Sequence, residues 1–353
     1  MPRGDNLSTD NQRVKLLLIG DGKCGKSDYA FFAAKSGFDV LYLDGDVASA
    51  TLASMVKENT LTKDEASRIY LLNVQDRIKN GGPDHFMMDT VANIVTSGRF
   101  FWNDTQSRPY SVALDGPESN DEIWEIDTSK LDEQTVLVWD SWTSFIQSIR
   151  NWVAEELDLD LSTMDKATKD SMRNVYQMIG EKANLYLQII RSLRCHVIVL
   201  AHPSEFVKTE KPSGKTVSTI KETDLKVLWT KMVPKSASNN HSMLMAKYFT
   251  DLAWLEVSAM GDYLIDFRPS SERISGSHFN MREKSREKGS FSQLVSQVGG
   301  KIPAPRTLPP WLVIHSDGFQ HPSAQKTKVV LGGKENTPVI QGKSLTGIMG
   351  QRS

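Results

Sequence analysis

Eight consecutive residues, Gly20-Asp21-Gly22-Lys23-Cys24-Gly25-Lys26-Ser27, carry the most specific chemistry in the 353-residue chain. The spacing G-x-x-x-x-G-K-[ST] lets successive backbone N–H groups turn inward around an anion, because glycine accepts backbone shapes that other residues resist. The Lys26 ammonium then reaches the outer phosphates of a nucleotide, and the Ser27 hydroxyl becomes a ligand for Mg2+. Such a cradle calls for a carboxylate at the end of a buried strand to hold the metal through water. Two stretches offer one: VLYLDGD, with Asp44 and Asp46, and TVLVWD, with Asp140. The plain alternative for the glycines is a structural turn. Cys24 reads better as a tolerated small residue than as a thiol switch.

The elements that must position these residues follow from hydrophobic periodicity. Val14 to Ile19 is a short apolar run stopped by glycine, which predicts a buried strand. A helix is predicted over 26–36 with Gly37 just past its end, and DVLYL (39–43) supplies a second strand. Strand, glycine turn, helix and strand form a βαβ crossover. Further helices are predicted at 47–58, 84–96, 142–156 and 171–194, and strands at 69–74, 135–139 and 196–202. YFTDLAWLEV and YLIDF, on either side of Met260-Gly261-Asp262, predict a β-hairpin. Between 97 and 134 the periodicity fails, and that stretch reads as an excursion from the core, a hairpin with an acidic loop or, more plainly, a solvated surface insertion. Residues 203–240 form a long polar stretch with seven lysines. From about 296 the chain turns rich in Pro, Gly, Ser and Thr and reads as a mobile basic tail, with PPWLVI (309–314) as its apolar island.

Bulk composition narrows the classes. Hydrophobic content of 39% and charged content of 24% suit a globular protein with a sizeable core. A formal net charge of −1 means that any nucleic-acid surface is local rather than global. Two cysteines, Cys24 and Cys195, argue against a disulfide framework or structural zinc and for a reducing cytoplasm. The polar N-terminus lacks the apolar stretch of a secretory signal, and no run approaches a membrane span.

The layout resembles the RecA-type ATPases. In that family the strand after the cradle helix ends in an acidic motif whose glutamate activates water, and YLDGD puts Asp46 there and Asp44 at the motif's first Asp. A later strand ending in Asp-Ser holds Mg2+, which VLVWDS places at Asp140 and Ser141. A last strand ends in a polar sensor, offered here by His202 in VIVLAHP. The ParA/MinD-type alternative would use the earlier carboxylate for the metal, but it expects a lysine where this chain has Asp21. The chain is most similar to compact phage-encoded members of the RecA group, through MVPKSASNNHSMLMAKYFTDLAWLEV and SGSHFNMREK, and the resemblance spans about residues 14–290.

What the resemblance implies is an α/β fold: a RecA-like P-loop core at 14–295, a mostly parallel twisted sheet flanked by helices, with a C-terminal β-hairpin. A leader (1–13) and the tail (296–353) lie outside it. It implies ATP and Mg2+ as cofactors, with Gly20, Asp21, Gly22, Lys23, Cys24, Gly25, Lys26 and Ser27 on the nucleotide, and Ser27 and Asp140 on the metal. Lys26, Asp46 and His202 become the catalytic set. Single-stranded DNA would lie on the lysine-rich stretch, at Lys208, Lys211, Lys215, Lys221 and Lys226, with Phe206 or Trp229 stacking on bases. Protomers would form a ring or filament, with Lys247, Arg268, Arg273 or Arg282 reaching a neighbour's site. The tail would bind another replication or recombination protein, no membrane would be involved, and the location would be the cytoplasm of a phage host. Each residue also has an ordinary reading: Asp46 as a helix cap, His202 as a locally bonded strand end, and the lysines as solvated loop charges. A helicase or translocase motor and a protein-binding nucleotide switch remain alternatives.

Overall fold

A computed structural model describes residues 13–79, 82–159, 169–210, 226–260, 262–277, 291–297, 299–304, 306–316 and 318–322. Its centre is a mostly parallel sheet. The strands that build it are β1 (Lys15–Gly20), β2 (Asp39–Asp44), β3 (Ile69–Asn73), β6 (Thr135–Asp140), β7 (His196–Ala201), β10 (Asp251–Val257) and β11 (Tyr263–Asp266). Their order across the sheet is β11-β10-β1-β7-β6-β2-β3, and Gly276–Ser277 pairs with β10 off this path. All neighbours pair in parallel except β11 and Gly276–Ser277, which run antiparallel to β10.

The continuous apolar runs are the consequence of burial on both faces. Successive side chains of a strand point to opposite sides, so each strand feeds two cores. Leu17 and Ile19 of β1, Leu41 and Leu43 of β2, and Leu137 and Trp139 of β6 enter one core. Leu16 and Leu18, Val40 and Tyr42, and Val136 and Val138 enter the other. The first core is closed by α3 (Phe86–Thr96), α4 (Trp142–Glu156) and α5 (Lys169–Ser192). The second is closed by α1 (Lys26–Lys35), α2 (Ser49–Lys57) and the short α6 (Phe291–Gln297). Three layers result, with the carboxyl ends of β1, β2, β6 and β7 along one edge of the sheet.

Two regions depart from expectation. Within 97–134, β4 (Arg99–Asn103) and β5 (Ile123–Asp127) pair antiparallel, and β5 pairs in turn with β12 (Leu312–His315). Phe100, Trp102 and Ile126 are buried in the first core, so the excursion is a packed second sheet and its aromatic content is the reason. The chain beyond 296 is correspondingly not all tail. Trp311 is buried and its indole N–H donates to the Thr135 hydroxyl at 2.9 Å. Arg306 pairs with both Asp39 and Asp132. The apolar island thus packs back on its own core, while the expectations for residues 1–12 and 323–353 lie outside the described residues.

The lysine-rich stretch after His202 also has a shape. β8 (Pro203–Glu210) and β9 (Lys226–Pro234) form an antiparallel ribbon separate from the central sheet. Among the described residues no helix is long and apolar enough to cross a membrane.

Candidate functional site

The glycine-rich turn leaves β1 at Gly20 and enters α1 at Lys26. Gly25 sits at φ +84°, and a Cβ built there would meet the Tyr263 ring at 2.9 Å. Both the left-handed backbone and the close approach therefore demand glycine. The buried Lys26 ammonium donates to the carbonyls of Gly20 at 2.8 Å and Asp21 at 2.7 Å. One residue later the Ser27 hydroxyl donates to Asp140 Oδ2 at 2.9 Å.

Asp140 ends β6 in direct register with Asp44 at the end of β2. Its Oδ2 also accepts the Tyr42 hydroxyl at 2.5 Å. Burial pushes the Asp140 carboxyl up to about 6, and the nearby Asp46 and Asp44 charges push the same way, against the bonds from Tyr42 and Ser27. Among the described residues neither Asp140 nor Asp44 forms an ion pair.

The two acids of VLYLDGD divide their work. Asp44 is the turn's anchor: its carboxylate accepts the backbone N–H groups of Asp46, Ala48 and Ser49 at 3.1, 2.8 and 3.2 Å. Asp46 does not cap α2, whose N-cap Ala48 has no side-chain cap, and the amides at the helix start bond to Asp44 instead. Asp46 instead faces the cleft, with Oδ1 accepting from the Ser144 hydroxyl and Oδ2 lying 3.3 Å from His202 Nε2. Burial alone would raise its carboxyl. Hydrogen bonds led by those from His202 and Ser144 outweigh that and hold it below the usual range.

His202 follows β7, the strand between β1 and β6, so it arrives between the glycine turn and Asp140. Its backbone N–H donates to Thr143 Oγ1 at 3.0 Å, and its carbonyl accepts the Lys235 N–H at 2.7 Å. Those contacts root the ribbon, whose two strands begin and end at Pro203 and Pro234. Residues from the glycine turn, Asp46, Asp140 and His202 line one open cleft of about 760 Å3.

One face of the ribbon carries Phe206, Lys208, Trp229 and Lys231, with Phe206 opposite Lys231 and Lys208 opposite Trp229. The two rings meet edge-on at 5.1 Å, and both ammonium groups lie over the Trp229 ring at 5.8 and 5.7 Å. Of the expected DNA-contacting lysines, Lys208 is on this face. Lys211, Lys215 and Lys221 lie outside the described residues, and Lys226 is described only as the first residue of β9.

Sequence reasoning missed Tyr42, Ser144 and Tyr263. Tyr42 was legible as the alternate residue of β2 two before Asp44. Ser144 carried a weaker signal, a hydroxyl three residues past the helix-capping Ser141. Among the residues considered for reaching a neighbour's site, Arg268 is paired with Asp266, Arg273 with Glu256, and Lys247 lies over the Tyr248 ring at 5.0 Å. Arg282 lies outside the described residues.

The donor set fits a hard divalent cation. Asp140 and Ser27 offer oxygen atoms 2.9 Å apart on the lining of the cleft, and Mg2+ favours one or two carboxylates completed by phosphate and water. No group of three acidic, His or Cys side chains able to hold a metal by itself occurs among the described residues.

No family model and no curated protein matches the chain. A solved structure that resembles it is the crystal structure of the RadB recombinase, at a TM-score of 0.33 and 13% identity. The match covers 73% of this chain and 84% of that one.

Proposed function

We propose that this chain binds a Mg2+–nucleoside triphosphate, ATP in the simplest case, and hydrolyses it in response to single-stranded DNA held on the ribbon. One observation carries the reading. The glycine turn, the Ser27–Asp140 pair and the Asp46–His202 pair converge on one cleft, and the ribbon is rooted on the same His202.

In this reading the amides of 20–27 and the N-terminus of α1 hold the phosphates. Lys26 exchanges its two carbonyl partners for phosphate oxygens, which are stronger acceptors for an ammonium. Ser27 and Asp140 hold the cation, which when bound neutralises charge on the phosphates. Asp46, kept ionised by its hydrogen bonds, orients a water for in-line attack and accepts its proton. His202 reports the state of Asp46 to the ribbon through its backbone.

On the ribbon, Phe206 and Trp229 offer rings to bases while Lys208 and Lys231 neutralise flanking phosphates, a pairing suited to single strands. Strand exchange, annealing and translocation would all begin from this coupling.

The test is ATP hydrolysis with and without single-stranded DNA, at low and moderate salt, with Lys26→Ala as control. DNA stimulation that fades with salt and vanishes in the variant supports the reading. Hydrolysis indifferent to DNA, with no salt-sensitive binding, removes the DNA arm and leaves a nucleotide switch that faces another protein.

A further inference from the structure

The first turn of α4 is bonded to more parts of the site than any fold requirement explains. Ser141 caps the helix, its hydroxyl accepting the Ser144 N–H at 3.2 Å. Trp142 donates its indole N–H to Ser236 Oγ, just past the ribbon, at 2.9 Å. Thr143 accepts the N–H of His202, just before the ribbon. Ser144 donates to Asp46.

We infer that Ser144 is a positioning residue for hydrolysis, acting through Asp46. The inference rests on the reading of Asp46 given above. The proton directions are fixed by the partners. An ionised carboxylate only accepts, so the Ser144 O–H points at Asp46 Oδ1. Ser141 Oγ, 3.0 Å from Ser144 Oγ, then donates into it. The Ser144 hydroxyl is thereby held from behind by Ser141 while its own backbone N–H is fixed by the cap.

Asp46 is gripped on both oxygens, by Ser144 on one and His202 on the other, although its side chain is 29% exposed. A carboxylate at the mouth of a cleft is solvated well by water, and a half-exposed bond to it adds little stability. What two fixed donors supply is direction: they leave the remaining lone pairs aimed into the cleft. Catalysis by a positioned base is sensitive to that direction, with a displacement of about 1 Å costing on the order of a hundredfold.

The experiment is steady-state ATP turnover with and without single-stranded DNA, for the wild type, Ser144→Ala, Ser144→Thr and Asp46→Asn, beside the affinity for a fluorescent ADP analogue. Ser144→Ala is expected to lower kcat by roughly tenfold, with KM and analogue affinity within about twofold, because orientation and not binding is lost. Ser144→Thr, which keeps the hydroxyl, restores most of the loss. An alanine variant with wild-type kcat, or a threonine variant no better than alanine, overturns the inference while leaving the hydrolase reading standing. A wild type that binds the analogue but, with and without single-stranded DNA, turns over ATP no faster than Asp46→Asn overturns the role of Asp46, and the role of Ser144 with it.

Discussion

Strand β2 begins with one buried aspartate and ends with another, and the protein treats the two differently. Asp39 is 2% exposed and meets a cation from its own chain, the Arg306 guanidinium, which Asp132 shares. Asp44 is 1% exposed and, among the described residues, meets only backbone amides, beside a second buried acid, Asp140, that is held by hydroxyls. At the Asp39 end, His196 is buried uncharged and Lys15 donates to the carbonyls of Leu193 and Cys195. That end has its charges settled within the chain. The other end concentrates carboxylates whose described partners carry no fixed positive charge, the arrangement expected where a cation and a polyanion arrive together. Variants at the two ends should therefore fail in different ways.

The largest effect belongs to Asp140→Asn. It removes the carboxylate proposed to hold the metal while retaining an oxygen for Tyr42 and Ser27, so the fold should hold. We expect Mg2+-dependent hydrolysis to fall by at least about a hundredfold, the scale of losing an electrostatic catalytic group, with no drop in melting temperature. A variant that is less stable yet still active would mean that Asp140 serves packing.

The opposite signature is expected of Arg306→Met. The methionine keeps much of the apolar stem but leaves Asp39 and Asp132 without their cation. Removing one partner of a largely buried pair costs about 3 kcal/mol, which denaturant unfolding would read. Nucleotide affinity should not move. Hydrolysis lost at unchanged stability would break the contrast between the two ends.

Acid sharpens the same contrast. Burial, helped by the Arg13 and Lys15 charges, lowers His196 to about 3, and its Nδ1 accepts the Val14 N–H at 3.1 Å. The unfolded histidine titrates near its ordinary value, about 6.5. Between those two values the unfolded chain carries the extra proton, so stability present at neutral pH is lost as pH falls from about 6.5 toward 3. Replacing His196 with Asn, which keeps an acceptor for Val14, should flatten the dependence by up to about 1.4 kcal/mol per pH unit near pH 5. Urea midpoints measured from pH 7 to 4.5 check this, and parallel curves for both proteins would refute it.

The two ends also differed in how far they could be read from residues alone. Strands buried on both faces announce themselves as unbroken apolar runs, and the bounds predicted for 135–139 and 142–156 fall within one residue of those of β6 and α4. Spacing marked the glycine turn and left Asp44, Asp46 and Asp140 as candidate strand-end acids, and the resemblance to RecA-type ATPases was what favoured Asp140. Of the second sheet only the outer strand was hidden: β4 and β5 pair inside a stretch that could read as a hairpin, but the other partner of β5 lies at 312–315, far along the chain in a segment whose prolines suggest a tail. The ribbon was hidden for another reason. It lies outside the central sheet, so its aromatic and lysine positions alternate without an apolar core to mark them. Asp44 and Asp46 were distinguishable by residue type in neither role. The turn decided between them, with Val47 at φ +63° carrying the chain back so that the amides of Ala48 and Ser49 reach Asp44.

On the ribbon, Trp229→Ala should weaken single-stranded DNA binding by about 1–3 kcal/mol, the value of one stacked base. Replacing Lys208 and Lys231 with alanine should lower the slope of log affinity against log salt by about 0.7 for each phosphate released. Equal salt slopes in variant and wild type would place the strand elsewhere.

The smallest effect is the most informative about coupling. Ser236 joins Trp142, next to the Asp140–Ser141 strand end, to the buried His241, whose Nδ1 is 2.7 Å away. Burial lowers His241 to about 4, so it is uncharged near neutral pH, and its Nδ1 shares one hydrogen bond with the Ser236 hydroxyl. The hydroxyl therefore passes a hydrogen bond from α4 to the chain leaving the ribbon without touching the cleft. Ser236→Ala leaves the Trp142 indole N–H buried without its partner, a cost of about 1–3 kcal/mol in stability. Turnover without DNA should stay within about twofold, since the contacts of Lys26, Asp46 and Asp140 are intact. Stimulation by DNA should shrink several-fold, because one of the ribbon's two connections to that turn is gone. If stimulation survives in full, the signal runs through the His202 backbone alone, and Thr143, which holds it, becomes the residue to change next.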